Sequence, residues 1–188
     1  IAPARKLCAE RGQRTIFNFL GPLLNPARPT AQLVGVPRPE LCEPMAHVLQ
    51  SLGVRRGMVV CGEIKSEVQS PKSEGAETSA PATRIPPPAS QHLDELSTLG
   101  PNTLAEFYQE RGFSTSTLSP DQFPLQPGTL ADLKGGDREG NAEIVRRLLG
   151  GEERGPKRDI VLLNAAAALL VAGQTRTMTD GWTLAAEL

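Results

Sequence analysis

Arg14-Thr15-Ile16-Phe17-Asn18-Phe19-Leu20-Gly21-Pro22-Leu23-Leu24-Asn25-Pro26 is the stretch on which the reading of this chain turns. An apolar run is interrupted by Asn18 and then stopped twice, at Gly21-Pro22 and at Asn25-Pro26. Proline fixes its own φ and biases the preceding residue toward extended geometry, so the backbone here follows a defined, non-repetitive path. Read plainly, this is a buried strand or short helix entering a proline-rich turn. Rigid irregular backbone beside a core is also what walls a ligand pocket.

Outward from this run the chain alternates strand and helix signals. Gln32-Leu33-Val34-Gly35-Val36 is a compact apolar run that suits a buried parallel strand, ended by Pro37 and Pro39. Leu41 to Leu52 places Leu41, Met45, Val48, Leu49 and Leu52 on one helical face, with Gly53 as the stop. Gly57 to Cys61 reads as the next buried strand. Strand, helix and strand at this spacing predict a crossover unit, and open sheets of this kind bind ligands at the carboxyl ends of their strands. The segments after Val36 and after Cys61 are therefore expected on one rim. Upstream, Arg5 to Glu10 reads as a short helix stopped by Gly12.

The composition changes between Glu63 and Gln91, where Ser, Pro, Glu, Lys and Ala dominate and Pro86-Pro87-Pro88 closes the stretch. Such a segment cannot bury enough apolar area to offset the entropy of ordering it, and residues 63–91 read as a disordered or extended insertion within one domain spanning 1–188. Beyond it, Thr103–Gln109 and Phe113–Leu118 suggest short strands or irregular elements. Asn141 to Leu149 predicts an amphipathic helix ended by Gly150-Gly151, and Pro156 opens a helix that runs to Gly173. A last helix begins near Gly181.

Composition excludes several classes. A length of 188 residues suits one domain with a real core, and a net charge of −1 gives no case for nucleic acid or an anionic membrane as a main partner. No apolar run approaches the roughly 20 residues of a membrane span. Cys8, Cys42 and Cys61, with His47 and His92, lack disulfide-framework or zinc-type spacing and read as structural thiols of a reducing cytoplasm.

The chemical candidate is Asp94-Glu95. Adjacent carboxylates in a loop can converge on one cation, and Mg²⁺ takes hard oxygen ligands while keeping waters and sharing substrate phosphates. The alternative is a solvated surface pair or a helix-dipole partner. Asn18 and Asn164 are amides inside apolar runs, and buried amides must find partners, so each is expected to fasten a loop to the core. Gly135-Gly136-Asp137 lacks the fuller spacing of a phosphate loop and reads as a turn into the Asn141 helix.

The opening run resembles the signature segment of the anthranilate phosphoribosyltransferase family, which carries a close variant of RTIFNLLGPLxNPA. Leu93-Asp94-Glu95-Leu96-Ser97 with Gly100-Pro101 is similar to the family's LDE-S-x-x-G-P segment. Gly135-Gly136-Asp137, Asn141-Ala142 and Arg158 to Leu169 are similar to its C-terminal segments. The resemblance implies an α/β fold with an open, mostly parallel sheet flanked by helices, of the nucleoside phosphorylase and phosphoribosyltransferase type, here incomplete. It implies transfer of the phosphoribosyl group from 5-phosphoribosyl 1-diphosphate to anthranilate in tryptophan biosynthesis, by a cytoplasmic homodimer. It places Mg²⁺ at Asp94 and Glu95, the anthranilate carboxylate at Arg5 (with Arg11 as rival), and the acceptor channel beside Pro22. The family's G-T-G-G-D loop and K-H-G-N segment do not occur in this chain. The expectation is therefore a fragment, inactive alone, whose phosphate loop precedes Ile1. Two other readings stay open: a related transferase with a different acceptor, and a non-catalytic binding module on the same scaffold.

Overall fold

The computed structural model describes residues 17–65, 91–109 and 112–188. Arg5, Arg11 and Cys8 lie outside them, as do the predicted helix over 5–10, the Asn18 side chain and residues 66–90 of the predicted insertion.

The opening run resolves into a short helix, α1 (Phe17–Leu23), with Pro22 in its last turn. The turn that follows is built locally. Asn25 Oδ1 accepts from the Ala27 N–H at 3.0 Å, and Arg28 closes the turn with φ of 46°, an uncommon value for a residue with a side chain. The chain then enters β1 (Ala31–Gly35), a 3₁₀ turn (Pro39–Leu41), α2 (Cys42–Ser51) and β2 (Arg56–Ile64). β1 and β2 pair in parallel with Leu33 opposite Met58, which is the crossover unit read from the sequence.

After β2 come β3 (Gln91–Leu93), β4 (Asn102–Tyr108) and β5 (Gly112–Leu118). The strand order is β1-β2-β4-β5, with β3 paired to the end of β2. The α/β class stands, and within the described residues the sheet is mixed rather than mostly parallel. Of its pairings there only β1–β2 is parallel, while β2–β3, β2–β4 and β4–β5 are antiparallel. Parallel strands need a crossover of a dozen or more residues. Residues 94–101 are too few for one, and β4 and β5 pair antiparallel from Tyr108 opposite Gly112, whose φ is 90°. The boundaries of the predicted insertion also move inward. Glu63 and Ile64 are ladder residues opposite His92 and Gln91.

Alternation along β2 sorts the core into two layers. Met58 and Val60 face one side, packing with Leu96, Leu104, Leu163, Ala166, Ala167 and Trp182. Val59 and Cys61 face the other, with Val34, Met45, Leu49, Ala105 and Phe107. Fully burying a large apolar side chain of this kind contributes about 1.5–3 kcal/mol. Gly57 sits across from Phe107, whose ring occupies the space a Cβ would take.

The α2 helix packs through Cys42, Met45, Ala46 and Leu49, while Val48 and Leu52 are 42% and 58% exposed. The predicted face is thus rotated. The helix proper starts one residue after Leu41, and small Cys42 and Ala46 let it approach the sheet closely. Burial pushes the Cys42 thiol up to about 12 and the Cys61 thiol to about 11, as expected of structural thiols.

The other sheet face is covered by α5 (Pro156–Val171) and α6 (Met178–Glu187), preceded by α3 (Leu130–Leu133) and α4 (Arg138–Leu149). Pro156 occupies the first turn of α5, where its missing N–H costs nothing. Thr177 caps α6 by accepting from the Asp180 N–H at 3.0 Å. Gly181 lets α6 cross α5: a Cβ there would lie 2.7 Å from the Ala166 carbonyl oxygen. The amphipathic helix predicted over 141–149 begins earlier, at Arg138, and Val145 and Leu149 are 52% and 83% exposed. No described helix is long and apolar enough to cross a membrane.

Candidate functional site

Asp94 and Glu95 lie at a bend immediately after β3, beside the carboxyl ends of β1 and β2. The expected common rim is present: the Val36 N–H donates to the Val60 carbonyl at 2.9 Å, and the loop carrying the two acids lies over both strand ends. Two glycines make this approach possible. A Cβ on Gly35 would run into the Asp94 carbonyl, and one on Gly62 would stand 2.6 Å from the Glu95 carbonyl oxygen and from Ser97.

The loop is anchored just past the acids. Leu96 and Ser97 are fully buried, whereas Asp94 and Glu95 are exposed. Asn164 on α5 accepts from the Leu96 N–H at 2.9 Å and donates to the Leu96 carbonyl at 3.0 Å. It thereby fastens a loop to the core, as the sequence suggested. Asn102, the first residue of β4, treats Ser97 in the same way, accepting from its N–H at 2.6 Å and donating to its carbonyl at 3.0 Å. Sequence reading missed Asn102. Its signal was present, an amide directly after Gly100-Pro101 at the head of an apolar alternation.

Neither acid forms an ion pair among the described residues. Glu95 borders a cleft of about 170 Å³ with Leu93, Leu130, Leu133, Lys134 and Ile160. Partial burial there, and then the neighbouring Asp94 charge, hold its carboxyl above the ordinary range. The result is two adjacent carboxylates on a loop anchored by Asn164 and Asn102. No group of three or more His, Cys, Asp or Glu side chains gathers among the described residues. Two hard oxygen donors without a third suit a cation that keeps waters and takes ligands from a bound phosphate, and they do not make a closed cage.

Pro22 stands elsewhere. It lines a cavity of about 450 Å³ with Leu23, Asn25, Arg28, Gln32 and Leu52, and its carbonyl accepts from Gln32 Nε2 at 2.7 Å. Gln32 and Gly35 are three residues apart on β1, about 10 Å along an extended strand. The chain therefore holds Asp94 and Glu95 beside the strand ends and sets Pro22 toward the opposite end of β1. The Gly135-Gly136-Asp137 segment is a turn into a helix, as read. Asp137 caps α4 by accepting from the Gly140 N–H at 2.8 Å, and Asn141 Oδ1 accepts from the Gly136 N–H at 2.8 Å.

This chain is 42% identical over 187 residues to the anthranilate phosphoribosyltransferase of Lacticaseibacillus casei, covering 100% of this chain and 46% of that protein. It is 41% identical over 187 residues to the Geobacter sp. (strain M21) enzyme of the same name, covering 44% of it. The crystal structure of anthranilate phosphoribosyltransferase from Thermus thermophilus superposes with a TM-score of 0.71 at 40% identity, covering 100% of this chain and 46% of that one. The Saccharomyces cerevisiae protein of that name, in complex with PRPP and Mg, shares the fold with a TM-score of 0.62 at 23% identity over 97% of this chain and 44% of that one. The chain thus spans about half the length of the relatives it matches. The family model described as glycosyl transferase family, a/b domain matches residues 2–74 and 89–188, and the chain belongs to that family.

Proposed function

We propose that the whole protein transfers the phosphoribosyl group of 5-phosphoribosyl 1-diphosphate to anthranilate, in tryptophan biosynthesis. The observation that carries this reading is the exposed Asp94-Glu95 loop at the strand ends, free of ion pairs among the described residues, in a chain 40–42% identical to anthranilate phosphoribosyltransferases. In the reaction the anthranilate nitrogen forms a bond to C1 of the ribose, the C1–oxygen bond to diphosphate breaks, and the amine gives up a proton.

Asp94 and Glu95 would hold Mg²⁺ through their carboxylate oxygens, and the ion would supply neutralisation of the negative charge on the departing diphosphate. Gly35 and Gly62 let the loop carrying these acids settle onto the strand ends. Arg5, or its rival Arg11, meets the acceptor carboxylate, for which a planar guanidinium is suited. Pro22 borders the acceptor path. With the acceptor held in place, the amine meets C1 without a further search in orientation. No side chain of this chain is assigned as a general base, because the diphosphate and water are able to take the amine proton. We place the whole protein in the cytoplasm as a homodimer.

The test is phosphoribosyl transfer by the whole protein, followed as loss of anthranilate fluorescence over a Mg²⁺ titration. Asp94→Asn with Glu95→Gln is expected to lower the rate at least about tenfold, equivalent to about 1.4 kcal/mol, and to raise the Mg²⁺ requirement. An unchanged Mg²⁺ titration removes the pair from the mechanism. Failure of the unsubstituted whole protein to consume anthranilate, with transfer to another amine or none at all, overturns the acceptor assignment.

A further inference from the structure

We infer that Asn164 and Asn102 are positioning residues for the transfer, a two-sided amide clamp that holds the Asp94-Glu95 loop in its metal-binding conformation. The inference rests on the reading of that pair as Mg²⁺ ligands. Its starting point is the way the two amides are used. Asn164 gives Leu96 both an acceptor for its N–H at 2.9 Å and a donor for its carbonyl at 3.0 Å. Asn102 repeats the pattern on Ser97 at 2.6 and 3.0 Å. Each side chain thus imitates one rung of a strand ladder, on two consecutive residues directly following Glu95.

The two clamps come from different layers. Asn164 reaches in from α5, 68 residues along the chain from Leu96, and its amide also donates to the Ile160 carbonyl at 2.9 Å, which fixes the rotamer. Asn102 is fully buried on β4, and its Nδ2 also reaches the Gly100 and Leu118 carbonyls, each at 3.3 Å. With the strand ends beneath the loop at Gly35 and Gly62, the backbone leaving Glu95 is held from three directions. The two carboxylates are left exposed beside a backbone fastened by these contacts. A loop ordered in advance does not have to be ordered when the cation and phosphates arrive, so its affinity is not reduced by that entropy. Groups that orient metal ligands without touching the metal typically alter affinity or activity by about 10–100-fold.

The test uses the whole protein and four variants: Asn164→Ala, Asn164→Ser, the double variant Asp94→Asn/Glu95→Gln, and Asn164→Ala placed on that double variant. Each is assayed for the Mg²⁺ concentration at half-maximal rate, kcat, KM for anthranilate and thermal midpoint. Asn164→Ala is expected to raise the Mg²⁺ half-saturation about tenfold with KM for anthranilate unchanged. Asn164→Ser, which keeps one hydrogen-bonding group, is expected to give a smaller rise, and it carries the same test should the alanine variant not fold. Placed on the double carboxylate variant, Asn164→Ala is expected to add nothing to the Mg²⁺ requirement, because it acts only through those side chains. A lowered thermal midpoint with an unaltered Mg²⁺ titration makes Asn164 merely structural and overturns the proposal. A titration unmoved in the double carboxylate variant overturns the metal reading itself and the clamp with it, so the two failures are told apart.

Discussion

Gly35 lies directly beneath the backbone carbonyl of Asp94, close enough that no other residue fits between β1 and the loop. The carboxylate pair and the end of the parallel strand are therefore one packed unit, and the identity of a residue with no side chain sets where the acids stand.

Gly35→Ala and Gly62→Ala should each destabilise the fold, because in both the obstacle is backbone rather than the movable end of a side chain. Overpacking of this kind costs about 1–3 kcal/mol. Among the described residues, nothing lies within 4 Å of where a Cβ on Gly21, in α1, would stand, so Gly21→Ala should be neutral or stabilising by up to about 1 kcal/mol. Thermal unfolding of the three variants checks the order. Equal stability of the Gly35 and Gly21 variants would show that the loop yields to a methyl group.

Replacing residues 66–90 with a short Gly-Ser turn should leave stability nearly unchanged. The ladder between β2 and β3 ends with Ile64 opposite Gln91, so the two ends of the replaced stretch leave from neighbouring positions. The closure entropy of a loop changes by only about 0.6 kcal/mol per halving of its length. Unfolding and steady-state transfer are both measured. A large stability loss means the segment packs on the domain, and a selective activity loss means it positions substrate.

The 188-residue chain by itself should not turn over. It lacks the G-T-G-G-D and K-H-G-N segments, and two carboxylates without substrate phosphates hold Mg²⁺ weakly. Measurable anthranilate consumption by the isolated chain would refute this.

Stability should fall at alkaline pH in part through Cys42. Burial lifts this thiol from 9.0 to about 12 in the folded state. A group whose folded value is raised contributes stability that is fully present below the unfolded value and is lost as pH climbs from 9.0 toward about 12. Cys42→Ala should therefore flatten the decline across that window, by up to about 1.4 kcal/mol per pH unit at its steepest. Chemical unfolding at intervals that start near pH 8, where the thiol is protonated in both states, and rise through that window compares the slopes. Parallel curves would show that the thiol ionises equally in both states.

The elements were legible where the controlling physics is local. Pro39 and Gly53 bracket the α2 region, Pro156 opens α5, and the apolar runs of β1 and β2 are short enough to be strands. The face of α2 was misread because a 3₁₀ turn delays the helix start by one residue, which no periodicity count registers. The antiparallel return of β4 was not legible either. Its direction depends on the tight path of residues 94–101 over the strand ends, and the apolar pattern of a strand is the same in both directions.

The carboxylate pair was visible as a pair from the sequence by itself, along with the proline-punctuated entry segment, the α/β alternation and the need of Asn164 for a partner. Those features depend on residue type and on windows of a few residues, where chain stiffness and hydrophobic period act. Only the tertiary structure decided that the partner of Asn164 is Leu96, that Asn102 takes Ser97, and that Pro22 sits toward the other end of β1 from Asp94. Hydrogen-bond satisfaction and steric exclusion operate between atoms brought together from distant parts of the chain. An amide declares that it needs a partner, but which backbone group supplies it is settled when the layers pack.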